Sequence, residues 1–252
     1  MRNQLIKRIK PDNLRRDPVF PSFIDREINS VKDNILTASD LSEKRVHCFR
    51  KVMVCGGPGS GKSMCAEHLA HITNFPLLTV RDEALFGKPK HVFEVINRAF
   101  KSTMNRKCIL FLEDKRRKLG LDDNMVNWFA NILEGFEFTQ GLVIIEKNQS
   151  NKIDDRENQA NSDIYFRFDK VISIPNPDFN ETRLLISKRL SSFATGAINW
   201  NSVNSLVEST QLSALQVTKV AEEVGRIAIS KGIDELSTQD ITYVLKKWYY
   251  RN

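Results

Sequence analysis

KVMVCGGPGSGKSMCAEHLAHI, residues Lys51 to Ile72, joins three pieces of different periodicity. Lys51 to Cys55 is an apolar run of strand length, Met64 to Ile72 has the spacing of a helix, and between them Gly56-Gly57-Pro58-Gly59-Ser60-Gly61-Lys62-Ser63 satisfies GxxxxGK[ST]. The glycines let the backbone curl until its N–H groups face a phosphate, and the helix that follows adds the positive end of its dipole. Lys62 can then reach β- and γ-phosphate oxygens, and the Ser63 hydroxyl can hold Mg2+. Gly57, Pro58, Gly59, Ser60, Gly61 and Met64 complete the expected cradle. A glycine-rich turn with a chance lysine would require neither the strand before it nor the helix after it. Nucleoside triphosphate binding is therefore the expectation.

Outward from this stretch, the short apolar runs PLLTV, KCILFL, GLVIIE and KVISI alternate with helix-period segments such as HVFEVINRAFK and MVNWFANILEGF. That alternation predicts βα units and a mostly parallel sheet. The fold class expected is α/β: a P-loop three-layer αβα sandwich over residues 46–176, followed by a small all-helical domain over 177–252. After Pro175 and Pro177 the strands stop and three helical patterns follow, with capping-box signatures at Asp178 to Glu181 and Ser237 to Asp240. Residues 1–45 read as a basic leader and one amphipathic helix, in which Phe23, Ile24, Ile28, Val31, Ile35 and Leu36 recur after Ser22.

Composition narrows the class without naming a ligand. A chain of 252 residues with a 41% hydrophobic share fills one large domain or a core with a smaller appendage. Its longest apolar runs, such as Cys108 to Leu112, are five residues, against roughly 20 for a bilayer span, so no membrane association is expected. The opening MRNQLIKRIK alternates charge and apolarity too tightly for a secretory signal, which predicts a cytoplasmic protein. A net charge of +7 suits anionic partners, nucleotide, nucleic acid or acidic protein surface alike. Cys48, Cys55, Cys65 and Cys108 lack metal-ligand spacing and read as reduced core thiols. His68 and His71 could form a metal pair on one helix, but no third ligand accompanies them.

The strand Cys108 to Leu112 ends in Glu113-Asp114, two carboxylates at the carboxyl edge of the sheet, where ligands of such sheets sit. One can hold water on Mg2+ and the other can orient an attacking water. The assignment expected is Ser63 and Glu113 toward Mg2+ and Asp114 toward water. In the other register Glu113 is the base and Leu112 stands at the metal position, which removes one acidic partner from the ion.

With these motifs in hand, the sequence resembles the AAA+ ATPases, and within them the AAA clade, over about residues 18–245. GGPGSGKS looks like the family's Walker A, and ILFLED occupies the place of Walker B, whose usual ending is Asp-Glu. LVIIEKN resembles the sensor-1 strand, which implies that Asn148 positions water near the γ-phosphate. IYFRFDKVISIPNPD resembles the arginine-finger segment running into the last sheet strand, with Arg167 as the matching arginine. Leu212-Ser213-Ala214-Leu215 resembles the helix start of the lid domain that closes over the adenine. The resemblance implies ATP and Mg2+ as cofactors and a homo-oligomer, a hexameric ring or a related assembly. Lys62, Asp114 or Glu113, Asn148 and Arg167 are its catalytic residues, Arg167 acting on the neighbouring subunit. Taken alone, an arginine on a sheet-domain surface is usually just solvated; its planar cation is nonetheless the group that phosphoryl transfer uses on γ-phosphoryl oxygens.

The departures from the family pattern bear on rate and on partners. Glu113-Asp114 inverts the usual order, so the water-orienting carboxylate is one methylene shorter, and a misplacement near 1 Å can cost on the order of 100-fold. Slow turnover is expected. Phe166 precedes Arg167 where a second arginine is common, and the polar stretch Asp154 to Ser162 looks like an insertion. The pore-loop region ALFGKPKHVFEV is short, with Phe86 and Lys88 as its candidate contacts. Lys115-Arg116-Arg117-Lys118 could meet a phosphate backbone or an acidic partner, or be a solvated loop. LKKWYYRN, with Trp248, Tyr249 and Tyr250 among cations, could stack on bases but better suits a last helix packing its aromatics.

Two functions follow. The first is an AAA-type ATPase that hydrolyses ATP at subunit interfaces to remodel an unidentified protein substrate or partner chain. The second is a hydrolysis-impaired, nucleotide-gated assembly switch or scaffold, with nucleic-acid binding through residues 115–118 as its variant form.

Overall fold

The computed structural model describes residues 6–14, 18–85, 89–103, 106–114, 131–134, 140–148, 167–196 and 198–249. They fall into two compact units. The first comprises Met1–Pro18, Ser22–Gly56 and Lys62–Ile174; the second comprises Val19–Pro21, Gly57–Gly61 and Pro175–Asn252.

The first unit is built on a six-stranded sheet: β1 (Ile6–Ile9), β2 (Lys51–Gly56), β3 (Leu77–Val80), β4 (Ile109–Asp114), β5 (Leu142–Asn148) and β6 (Lys170–Ile174). Their order is β1-β3-β4-β5-β2-β6. Every pairing is parallel except β1 with β3. Parallel strands are covered on both faces, so they read as continuous apolar runs, and β2 is buried at every position. Met53, Cys55, Leu110, Leu112, Val143 and Ile145 face one layer, where Val92, Val95, Ile96 and Ala99 of α4 (Pro89–Thr103) join the core. The alternate side chains project to the other face. There α3 (Lys62–Thr73) packs on β2, β4 and β5 and against α1 (Ser22–Leu36). A short α2 (Ala38–Glu43) follows α1, and residues 131–134 are also helical. This is the mostly parallel sheet between helical layers that the alternation predicts.

In α1, Ile24, Ile28, Val31 and Ile35 are buried at spacings of four, three and four, while Phe23 and Leu36 are exposed. The leader departs from its reading, because Ile6–Ile9 adds a strand to the edge of β3, Ile6 opposite Val80 and Ile9 opposite Leu77. IKRI has no alternating pattern to announce a strand; the unpaired main-chain groups of the β3 edge supply the reason it is one.

The described residues of the second unit hold four helices, one more than the patterns suggested: α5 (Phe179–Arg189), α6 (Trp200–Thr210), α7 (Ala214–Lys231) and α8 (Thr238–Tyr249). Ile186, Val203, Val220, Val224, Ile241 and Leu245 lie in their shared core. Their starts are set by side-chain caps. Asp178 and Glu181 form a capping box on α5, and Ser213 and Gln216 form one on α7. At α8 the Ser237 amide donates to Asp240 at 2.9 Å and the Asp240 amide to Ser237 Oγ at 3.4 Å. Gly232, in the left-handed region, ends α7. Trp248 packs on this core and donates its indole N–H to Glu223 at 3.0 Å. No helix among the described residues is long and apolar enough to cross a membrane.

Candidate active site

The loop that links β2 to α3 has three glycines at positive φ: Gly56 at 156°, Gly59 at 77° and Gly61 at 108°. Gly59 has a further reason to be glycine. A Cβ there would stand 2.9 Å from both Leu215 Cβ and Ser213 Oγ, and the Gly59 carbonyl accepts the Leu215 amide at 3.0 Å. Ser60 is buried, and among the described residues its hydroxyl has no hydrogen-bond partner. A buried hydroxyl without a partner is costly in a native fold, and one in a curled glycine loop is suited to an incoming polar group.

Lys62 opens α3 with only 3% of its surface exposed, and its ammonium donates to the Gly56 carbonyl at 3.0 Å. Its Nζ also lies 3.8 Å from Glu146 Oε1. Ser63 follows and donates its hydroxyl to Glu146 Oε2 at 3.3 Å. Met64, next on the helix, is half-buried. Register brings further expected residues to the same edge. Asn148, the last residue of β5, pairs with Gly56, while Glu113 pairs with Glu146 and Asp114 with Lys147. Lys62, Ser63, Glu113, Asp114 and Asn148 thus stand at strand ends or helix start on one side of the first unit. Within the first unit, this set of one ammonium, one hydroxyl and hard carboxylate oxygens fits the phosphates and Mg2+ of ATP.

Glu146 is the residue that reading along the chain overlooked. It is 4% exposed in a strand whose preceding residues, Leu142 to Ile145, are buried and apolar. A charge inside such a run must be matched by partners, and that interruption was the available signal.

Arg167 lies elsewhere. It precedes β6, which runs parallel to β2, so it stands at the amino edge of the sheet while Gly56 ends β2 at the carboxyl edge. The five residues of β6 alone separate the two edges by about 16 Å. Arg167 pairs there with Glu134 of its own chain. Two residues on, Asp169 is fastened to the start of β2. Phe86, Lys88, Lys115 to Lys118, Asp154 to Ser162, Phe166 and Tyr250 lie outside the described residues.

The family model for the ATPase family associated with various cellular activities (AAA) matches residues 52–175, which run from β2 to just past β6. Over these residues the chain carries a domain of the AAA family. It is 24% identical over 182 residues to an uncharacterized AAA family ATPase of Sinorhizobium fredii, covering 69% of this chain and 53% of that one. A putative 26S proteasome regulatory subunit homolog of Methanothermobacter thermautotrophicus is 24% identical over 215 residues, 79% of this chain and 55% of the relative. The ATP-dependent zinc metalloprotease FtsH of Rickettsia felis is also 24% identical, over 85% of this chain and 35% of its own. The chain therefore spans about half the length of the first two and a third of the last.

Proposed function

We propose that this chain is an ATPase subunit that binds ATP with Mg2+ on the Gly56 to Ser63 loop, hydrolyses it at interfaces between copies, and remodels a protein partner. The observation that carries the reading is the place of Arg167. An arginine at the amino edge of the sheet cannot serve the phosphates of a loop at the carboxyl edge of the same sheet, but it can serve those of an adjacent copy. Assembly is then part of the chemistry, since each site would lack its arginine without a neighbour.

In this reading Lys62 binds β- and γ-phosphate oxygens, Ser63 and Glu113 hold Mg2+, Asp114 orients water, and Asn148 fixes that water beside the γ-phosphate. Mg2+ supplies charge neutralisation on the phosphate oxygens. The Glu113-Asp114 order makes turnover slow, because the orienting carboxylate is short by one methylene. That same order favours a second reading, a nucleotide-held assembly switch with little hydrolysis.

The test is phosphate release with ATP and Mg2+ beside light scattering for mass, on wild type, Lys62→Ala, Arg167→Ala and a mixture of the two variants. Each variant alone is expected to be inactive. The mixture regains activity, because Lys62→Ala copies lend Arg167 to the intact loops of Arg167→Ala copies. Silence of the mixture sinks action in trans; ATP-dependent assembly of wild type with negligible phosphate release selects the switch.

A further inference from the structure

We propose that Glu146 faces the metal: it is a second carboxylate of the Mg2+ site, supplied by β5 beside the Glu113 of β4, and it makes nucleotide binding strongly dependent on the ion. The inference rests on the reading of this loop as an ATP site.

Three observations carry it. Glu146 is 4% exposed and sits in a covered strand, where a carboxylate needs partners to offset its desolvation. Its Oε2 accepts the Ser63 hydroxyl at 3.3 Å, the hydroxyl that the loop motif assigns to Mg2+. Finally, Glu146 is in register with Glu113 on the adjacent parallel strand. Residues in register project to the same face about 4.8 Å apart, and that face is the one α3 covers, with Lys62 and Ser63 in its first turn. One hydroxyl and two carboxylates at one level of the sheet are hard oxygen donors of the number Mg2+ takes from protein when phosphates and waters complete its shell.

The competing account is that Glu146 merely steadies Lys62. The distances argue against it. The ammonium makes its hydrogen bond to the Gly56 carbonyl at 3.0 Å, whereas Glu146 Oε1 stands at 3.8 Å, close enough for attraction but beyond hydrogen-bond length. The carboxylate lies nearer to the Ser63 hydroxyl than to the lysine charge. Electrostatics gives the two accounts different signatures. A carboxylate facing the metal repels the bare triphosphate and attracts it only through the ion, so its removal should leave metal-free binding intact or stronger. A carboxylate that only orients Lys62 should matter equally with and without metal.

The experiment measures the affinity of the full chain for the non-hydrolysed analogue AMP-PNP by calorimetry, once in EDTA and once with Mg2+, for wild type, Glu146→Gln and Glu146→Asp. Manganese binding in the presence of AMP-PNP, read by electron paramagnetic resonance, supplies a metal-side readout. For Glu146→Gln the expected result is metal-free affinity kept or raised, the tightening by Mg2+ cut at least tenfold, and Mn2+ held more weakly. Glu146→Asp keeps the charge and should fall between; if the glutamine variant does not fold, the aspartate variant is read by the same comparison. A Glu146→Gln protein that keeps the full Mg2+ effect, or loses affinity equally in both arms, overturns the proposal. So does a wild type that binds AMP-PNP without regard to Mg2+, which leaves the ATP site standing. A wild type that binds no AMP-PNP under either condition overturns the ATP-site reading and this inference together.

Discussion

One oxygen of the Asp169 carboxylate accepts the backbone amide of Lys51 at 2.8 Å, and the same oxygen accepts the amide of Arg50 at 2.7 Å. The other oxygen meets His47 Nε2 at 3.0 Å and the Lys51 ammonium at 3.7 Å. Asp169 is 7% exposed and stands two residues after Arg167, so it sews the start of β6 to the start of β2. Asp169→Ala strips two amides of their shared acceptor and removes a carboxylate near the Lys51 ammonium, and the expected loss is about 2–4 kcal/mol. Asp169→Asn keeps one acceptor oxygen and should lose less. Urea unfolding of the three proteins checks the ranking, and a neutral alanine variant would sink it.

Under the proposed action in trans, Arg167 would have to leave Glu134 to reach a neighbouring copy. Their side chains are 38% and 60% exposed, which caps the worth of such a pair at about 1 kcal/mol. Glu134→Gln should therefore change phosphate release by no more than about fivefold, against near-complete loss for Arg167→Ala. A glutamine variant as dead as the arginine variant would mean that Glu134 does more than hold the cation at rest.

Restoring the family order tests the expected slow turnover. The double substitution Glu113→Asp with Asp114→Glu lengthens by one methylene the carboxylate proposed to orient water, and phosphate release per site should rise by tenfold or more. Nucleotide affinity should move little. If the rate is unchanged, the inverted pair does not limit hydrolysis.

Gly59→Ala combines a φ of 77° with a Cβ 2.9 Å from Ser213 Oγ and Leu215 Cβ. The backbone penalty alone is about 1–2 kcal/mol. Gly196→Ala, where a Cβ meets nothing within 4 Å, is the matched control. Thermal melting should fall for the first and hold for the second, and nucleotide binding should weaken only for Gly59→Ala.

Burial pushes the Cys65 thiol up to about 12 and the Cys108 thiol up to about 11, from an ordinary value of 9.0. Below pH 9 both folded and unfolded chains hold these protons, so the thiols do not affect stability there. Between pH 9 and 11 the unfolded chain loses protons that the folded chain keeps, and stability falls as pH rises. Cys65→Ala should flatten that fall in urea midpoints taken from pH 7.5 to 10.5. An identical slope in wild type and variant would contradict it.

What could be read along the chain is what short-range chemistry specifies. The glycine loop carries its own turn geometry, the strands announce themselves as apolar runs because both sheet faces are covered, and Asp178 and Ser237 cap helices from within a few residues. The resemblance of LVIIEKN to a sensor-1 strand marks Asn148 at its end, but nothing in that resemblance marks Glu146 within it. Side chains three residues from a motif are visible by spacing; partners 83 residues apart, as Ser63 and Glu146 are, are not. The order β4-β5-β2 had to insert β5 between the acidic strand and the loop strand before Glu146 could touch Ser63 or stand beside Glu113. The same packing made a strand of Ile6–Ile9, whose residues show no alternation, because the β3 edge had main-chain groups to pair. It also carried Arg167 to the far edge. Motif and periodicity depend on neighbours in sequence, whereas the second carboxylate and the separated arginine depend on strand order and direction, which only the folded sheet sets.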